Sequence, residues 1–148
     1  MNIKVKRINE KAKLPTRGSE QAAGYDLYSC FPDDWGERLE LQPHDTIKIP
    51  IGLQMELPRG YYGAIVARSG LATKQGLRPA NAYGVIDSDY RGSVIVALHN
   101  DTDYPQRIYD GDRIAQLILL PYQTMEFEEV NELSDTDRGS GGFGSTGK

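Results

Sequence analysis

A pattern typical of a β-hairpin runs from Asn81 to Leu98 and reads Asn-Ala-Tyr-Gly-Val-Ile-Asp-Ser-Asp-Tyr-Arg-Gly-Ser-Val-Ile-Val-Ala-Leu. One β-branched run enters a polar turn at residues 87–90, and a second leaves it at 94–96. Gly84 and Gly92 flank the turn, and strand glycines often mark places where a backbone or a ligand comes close. The turn carries two carboxylates and a phenol. These groups are either simple turn formers or parts of a site, and the hairpin alone leaves both interpretations open.

The composition is typical of one all-β domain. The chain has 148 residues and a net charge of −4, and its 16 glycines and 8 prolines divide it into short segments. Such frequent breaks favour β-strands over long helices. The acidic balance argues against a nucleic-acid partner, which a basic surface would indicate. Nothing in the sequence approaches the ~20 apolar residues of a membrane span. We therefore expect neither a nucleic-acid nor a membrane partner.

The cysteine content predicts a cytoplasmic, reducing environment. Cys30 is the only cysteine, so no disulfide can form within the chain. Residues 3–8 alternate apolar and basic side chains, and no apolar run follows the first seven residues, so no signal peptide is predicted.

Two polar residues lie inside segments that otherwise predict strands. Asp26 follows Gly24, which would allow a close backbone approach, and Gln116 lies in the apolar run 112–121. An acidic residue within a strand is disfavoured without a partner. Asp26 is therefore either an edge-strand charge in water or a carboxylate that faces a cation or an arginine. Gln116 needs a hydrogen-bond partner, which is either a neighbouring backbone or a ligand.

The pattern predicts a single convincing helix. Ser69 is the expected N-cap, residues 71–75 form one or two turns, and Gly76 ends them. With Arg68 beside it, the start of this helix is either an ordinary capped turn or an anion site. Further strands are expected at 3–8, 46–50, 52–57, 61–66 and 125–130.

The C-terminal region has too few apolar residues to fold alone. Residues 138–148 include five glycines, and Phe143 is their one large apolar group. Little apolar area is available to offset the entropy of ordering such a segment. We expect a β domain over residues 1–133 and a flexible, glycine-rich arm over 134–148.

Five segments together resemble, in order and spacing, the motifs of the trimeric deoxyuridine triphosphatases (dUTPases). They are Ala23–Leu27, Arg68–Ala72, Gly84–Gly92, Gly111–Gln116 and Arg138–Gly147. The resemblance implies an all-β, jelly-roll-like subunit with one short helix and a flexible tail. It also implies a homotrimer with active sites shared between subunits, and hydrolysis of dUTP to dUMP and pyrophosphate with Mg²⁺ on the triphosphate.

The resemblance assigns the base, the sugar and the attacking water to the predicted hairpin. Asp87 matches the residue that activates water, and Tyr90 matches the aromatic packed against the deoxyribose. The uracil edge would be read by four residues around the glycine, namely Asn81, Gly84, Val85 and Ile86. Backbone donors and acceptors there can imitate a Watson–Crick partner.

The triphosphate is assigned to other segments. Arg68, Ser69, Gly70 and Gln116 match phosphate contacts. Asp26 matches an acidic residue that acts through metal-bound water or by orienting Arg68, with few or no direct protein ligands to Mg²⁺. The arm would close over the nucleotide, with Phe143 stacked on uracil. Its phosphate contacts would come from Arg138, Gly144, Ser145 and Thr146.

Two other functions compete with dUTP hydrolysis. Resemblance to a dCTP deaminase of the same fold would require a glutamate base on the strand that leaves the hairpin. That strand, residues 93–98, contains no acid. A regulatory module that uses the nucleotide as a signal for a protein partner is the other alternative. Asp87 and a complete tail favour catalysis, and they leave a second, regulatory role open.

Overall fold

The computed structural model describes residues 1–142 as twelve β-strands, one α-helix and a short 3-10 turn at Asp33–Trp35. The strands are β1 (Lys4–Arg7), β2 (Thr16–Arg17), β3 (Tyr25–Tyr28), β4 (Arg38–Leu41), β5 (Thr46–Pro50), β6 (Leu53–Glu56), β7 (Tyr61–Val66), β8 (Leu77–Pro79), β9 (Gly84–Ile86), β10 (Ile95–Asn100), β11 (Gln106–Tyr109) and β12 (Arg113–Pro121). The helix, α1, spans Ser69–Gln75 and lies between β7 and β8.

The strands form small antiparallel sheets around one core. The largest sheet has the order β2-β3-β12-β7-β9, and the others are β5-β10-β8, β1-β6 and β11-β4. Fully buried side chains from all parts of the chain meet between them, among them Leu27, Phe31, Ile49, Leu98 and Ile108. The architecture is the all-β, jelly-roll-like fold that the sequence predicts.

The predicted pairing of the hairpin strands is wrong. β9 pairs with β7, whereas β10 pairs with β5 and β8 in a different sheet. In the segment that connects β9 to β10, Val94 donates its N–H to the Leu53 carbonyl at 2.9 Å. The turn itself forms, since the Tyr90 N–H bonds the Asp87 carbonyl at 3.1 Å. A β-branched pattern predicts strands but does not select their partners, which here come from distant parts of the chain.

The helix forms where the pattern predicts it, but its N-cap differs. Arg68, in extended conformation, is the N-cap and makes no side-chain capping bond, so Ser69 is the first helical residue rather than the cap. Gly76 ends the helix as expected, with φ 64° and its N–H bonded to the Leu71 carbonyl. Nowhere in residues 1–142 is there a helix with the length and apolar character that crossing a membrane requires.

The last predicted strand does not form. Residues 125–130 pair with no other described segment, and Met125 and Phe127 are 73% and 90% exposed. The sequence pattern is that of a strand, but a strand needs a partner for its N–H and C=O groups.

Candidate active site

The carboxylate of Asp26 is the centre of a buried polar cluster. Asp26 is only 3% exposed. Oδ1 accepts hydrogen bonds from Arg68 Nε at 2.9 Å and from Gln116 Nε2 at 3.3 Å, and Oδ2 accepts one from Arg113 Nη1 at 3.2 Å. Asp26 is therefore a carboxylate that faces arginines, not an edge charge in water. The partner of Gln116 is this carboxylate rather than a backbone group.

Strand register explains why Asp26 and Gln116 meet. The two residues lie directly opposite each other on β3 and β12, so their side chains leave the same face of the sheet. Gly24 makes room for the contact, because a Cβ added there would lie 3.2 Å from Cδ of Gln116. The close approach expected at Gly24 is confirmed.

Arg68 joins this cluster to the start of α1. Its side chain is 25% exposed, and Nη1 also donates to the Arg113 carbonyl at 3.3 Å. Ser69 and Gly70 follow it on the exposed first turn. A cavity of about 190 Å³ is lined by three arginines and one carboxylate among others, namely Arg68, Arg107, Arg113 and Asp112. This concentration of guanidinium groups suits an anion.

A second group of predicted residues lies around β9. Val85 and Asp87 line a cavity of about 930 Å³, together with Tyr62, Tyr83 and Tyr122. Asp87 is exposed. Glu56 lies on the same cavity, and the Lys4 ammonium 2.8 Å away lowers the pKa of that carboxyl. The cavity therefore has ionised groups of both signs, with Arg59 and Arg91 also on its wall.

Asn81 and Gly84 line a separate cavity of about 270 Å³. The Asn81 amide lies against Gly84, since a Cβ added to Gly84 would be 3.4 Å from Asn81 Nδ2. Ile86 packs against the hydrophobic core. Lys48 and Ile95 also line this cavity and were not predicted. The sequence predicts only that each residue lies in a strand. The pairing of β5 with β10 brings the two residues to this cavity.

The Tyr90 ring folds back over its own turn. Its hydroxyl donates to the Ser93 carbonyl at 3.0 Å, and the side chain covers Gly92. A Cβ added to Gly92 would lie 2.5 Å from Cζ of Tyr90. The absence of a side chain at Gly92 therefore leaves the space that the ring occupies.

The structure does not bring Asp87 to the Asp26 cluster within one chain. Ile86 pairs with Gly63 and Gln116 pairs with Val66, so the two groups flank opposite ends of β7. Asp87 lies at the level of Tyr62, and the Asp26 cluster lies at the level of Val66, four positions further along β7. At about 3.3 Å per residue, these four positions span roughly 13 Å. The three cavities share no lining residue.

The hydrogen bonds to Asp26 indicate how this carboxylate could contact the expected Mg²⁺. Both Asp26 oxygens already accept hydrogen bonds from protein groups, and the described residues contain no cluster of three His, Cys, Asp or Glu side chains suited to a metal ion. Carboxylate oxygens bonded in this way fit the predicted contact through metal-bound water, and that role stays a prediction. Arg138 donates through Nε to the Gly141 carbonyl at 2.8 Å. Phe143, Gly144, Ser145 and Thr146 lie outside the described residues.

Comparisons with known proteins show the family of the chain. The family model for dUTPase matches residues 10–147. A Desulfitobacterium hafniense protein named deoxyuridine 5'-triphosphate nucleotidohydrolase is 48% identical over 99% of this chain and 97% of its own. The human mitochondrial protein of that name is 46% identical over all of this chain and 56% of its own. A solved Staphylococcus bacteriophage 80alpha dUTPase with dUpNHpp superposes with a TM-score of 0.86 at 30% identity, covering 99% of both chains. The chain belongs to the dUTPase family.

Proposed function

We propose that this chain hydrolyses dUTP to dUMP and pyrophosphate. The observation that carries the proposal is the Asp26 cluster, which fixes Arg68 beside the exposed Ser69 and Gly70. A cation held in this way suits a substrate with several phosphate charges. Membership of the dUTPase family and the names of its relatives support uracil as the base.

Asp87 is the general base in this proposal. Its carboxylate takes a proton from water as that water attacks the α-phosphorus in line. The bond from the α-phosphorus to the α–β bridging oxygen breaks, and pyrophosphate leaves with the electron pair. A carboxylate is a weak base at neutral pH, so positioning and neutralisation of phosphate charge must supply much of the rate.

Base and sugar are selected around β9. The backbone of Gly84, Val85 and Ile86, with the Asn81 amide, reads the uracil edge. Tyr90 packs against the deoxyribose, where its ring excludes a ribose 2′-hydroxyl by contact. The hydrogen bond from the Tyr90 hydroxyl to the Ser93 carbonyl supports this role, because it holds the ring over Gly92.

Phosphate binding combines the rigid cluster with the arm. Arg68, Ser69, Gly70 and Gln116 hold the phosphates from one side. The arm, residues 134–148, closes from the other, with Phe143 on uracil and with Arg138, Gly144, Ser145 and Thr146 at the phosphates. A divalent cation, Mg²⁺, would neutralise charge on the triphosphate. Asp26 contacts this Mg²⁺ only through a bound water molecule, and its carboxylate also orients Arg68.

A homotrimer with shared sites accounts for the separation of the groups. Asp87 and Arg68 lie at opposite ends of β7, yet both must reach the same triphosphate. In this proposal one chain supplies Asp87 and a neighbouring copy supplies the Arg68 side of the same site. The buried single cysteine, Cys30, is compatible with the cytoplasmic location that we propose for this assembly.

A nucleotide panel tests the proposal. Purified protein is incubated with dUTP, dCTP, dTTP or UTP and Mg²⁺, and both pyrophosphate and released ammonia are measured. We expect pyrophosphate from dUTP, little from the other three nucleotides, and no ammonia. Deamination of dCTP, or equal turnover of dTTP and dUTP, would refute it.

A further inference from the structure

β12 contains a bulge next to the phosphate cluster. Ala115, Gln116 and Leu117 pair in regular register with Leu27, Asp26 and Tyr25, but Arg113 pairs with Tyr28. Ile114 is therefore an extra residue in the ladder. It is 2% exposed and its neighbour Ala115 is fully buried, so two consecutive side chains face the interior.

The bulge determines which side chains reach Asp26. Side chains alternate along a regular strand, so residues 113 and 116, three positions apart, would point to opposite faces. One inserted residue shifts the alternation by one position. Arg113 Nη1 and Gln116 Nε2 consequently reach the same carboxylate, at 3.2 and 3.3 Å.

The two oxygens of Asp26 are divided between the arginines. Oδ1 receives Arg68 Nε and Oδ2 receives Arg113 Nη1. The Arg113 carbonyl also accepts a bond from Arg68 Nη1 at 3.3 Å. Arg68 is thus held at two of its nitrogens, Nε and Nη1, and among the described residues Nη2 has no hydrogen-bond partner. That leaves Nη2 to bind a phosphate oxygen.

We infer that Arg113 is a positioning residue, brought to Asp26 by the bulge, which holds that carboxylate so that Arg68 presents Nη2 to the substrate's phosphates. The inference rests on the proposed phosphate-binding role of Arg68. The Asp26 side chain is 4% exposed, so loss of Arg113 would leave one oxygen of a buried carboxylate without its cation. The carboxylate would then turn, and Arg68 would turn with it.

Ligand binding separates positioning from a structural role. Arg113→Gln and Arg113→Lys are compared with Arg38→Gln, an exposed arginine on β4. For Arg113→Gln we expect affinity for dUpNHpp to fall roughly 10-fold, the order that a lost charge-assisted hydrogen bond gives. Affinity for deoxyuridine, which has no phosphate, should not change. Arg113→Lys should recover part of the loss, and Arg38→Gln should bind both ligands as wild type does.

A double-mutant cycle tests whether Arg113 acts through Arg68. In an Arg68→Gln background, adding Arg113→Gln should cost less than about twofold more in dUpNHpp affinity, because the residue to be positioned is gone. Additive losses would overturn the inference and make Arg113 a direct phosphate ligand. The inference would also be overturned if Arg113→Gln bound dUpNHpp as tightly as wild type does. The same holds if Arg113→Gln lowered both the affinity for deoxyuridine and the melting temperature.

The same cycle distinguishes this inference from the proposed function. Binding of inorganic pyrophosphate can replace dUpNHpp, and it requires neither uracil recognition nor turnover. If wild-type protein failed to hydrolyse dUTP but showed the Arg68–Arg113 coupling with pyrophosphate, only the proposed function would fall. If it hydrolysed dUTP without the coupling, only the positioning role of Arg113 would fall.

Discussion

At the scale of single residues, Asp87 is exposed at the end of β9, and its carbonyl accepts a hydrogen bond from the Tyr90 N–H. Its side chain makes no hydrogen bond to the described residues. Its carboxylate is therefore available to a water molecule. The neighbouring residues hold the backbone of the turn, so replacing the carboxylate should leave the local structure unchanged.

The Asp87→Asn variant should bind substrate but turn it over slowly. The amide has the shape of the carboxylate and cannot take a proton, so kcat should fall by roughly 10²–10⁴. Single-turnover kinetics with dUTP measures the chemical step, and calorimetry with dUpNHpp checks that affinity is retained. Turnover near that of wild type would remove Asp87 as the base.

Gly92 controls the sugar selectivity that we propose for Tyr90. In Gly92→Ala the added methyl group would collide with the Tyr90 ring and displace it. The ratio of kcat/KM for dUTP to that for UTP should fall roughly 10-fold, because the steric barrier to a 2′-hydroxyl is relaxed. Gly18→Ala, where an added Cβ has no neighbour within 4 Å, is the matched control. An unchanged ratio in Gly92→Ala would argue against Tyr90 as the sugar contact.

At the scale of elements, an ion pair supports the end of the β8–β10 pairing. Arg78 donates through Nε and Nη2 to Asp101 at 2.6 and 2.8 Å. This hydrogen bonding lowers the pKa of Asp101 below its ordinary value of 3.8. The pair therefore stabilises the folded state above pH 3.8, and the stabilisation is lost as the pH falls through the lower folded-state pKa.

Asp101→Asn should lower the melting temperature at neutral pH, and the difference from wild type should shrink below pH 3.8. Both side chains are about 40% exposed, so the effect should be about 1 kcal/mol or less. Calorimetry across the acid range measures it. Asp34→Asn removes a carboxylate with no ion pair to residues 1–142, and it should show no such trend. A pH-independent difference for Asp101→Asn would show that the charge is not the cause.

At the scale of the whole molecule, the separation of Asp87 from Arg68 can be tested by mixing defective chains. Asp87→Asn and Arg68→Gln should each be nearly inactive alone. If a site takes its base from one subunit and its phosphate cluster from the next, an equal mixture refolded together should restore about one quarter of the sites. Activity and oligomeric mass are measured on the refolded mixture. Activity no higher than the average of the two parents would place both groups in one chain's site.

Much of this site could be predicted from the chain because the motifs are local. Asp26 and Gln116 were each expected to need a polar partner, and the structure shows that they bond each other and that Asp26 also bonds Arg68. The role of Arg113 could not be predicted, since a one-residue bulge changes which face a side chain occupies without changing the pattern of residue types. Lys48 and Ile95 were missed for a related reason, because strand pairing brings them to the Asn81 cavity.

The sequence by itself determined the all-β class, the one helix with its glycine stop, and the motifs that resemble the dUTPase family. These features depend on residue types at short spacing, where propensity and turn chemistry act. Tertiary structure alone decided that β9 and β10 lie in different sheets, that Asp26 is shared by two arginines, and that Asp87 is remote from them. Such facts depend on pairing between segments far apart in the chain, and hydrophobic burial and hydrogen bonding select that pairing only when the whole chain packs.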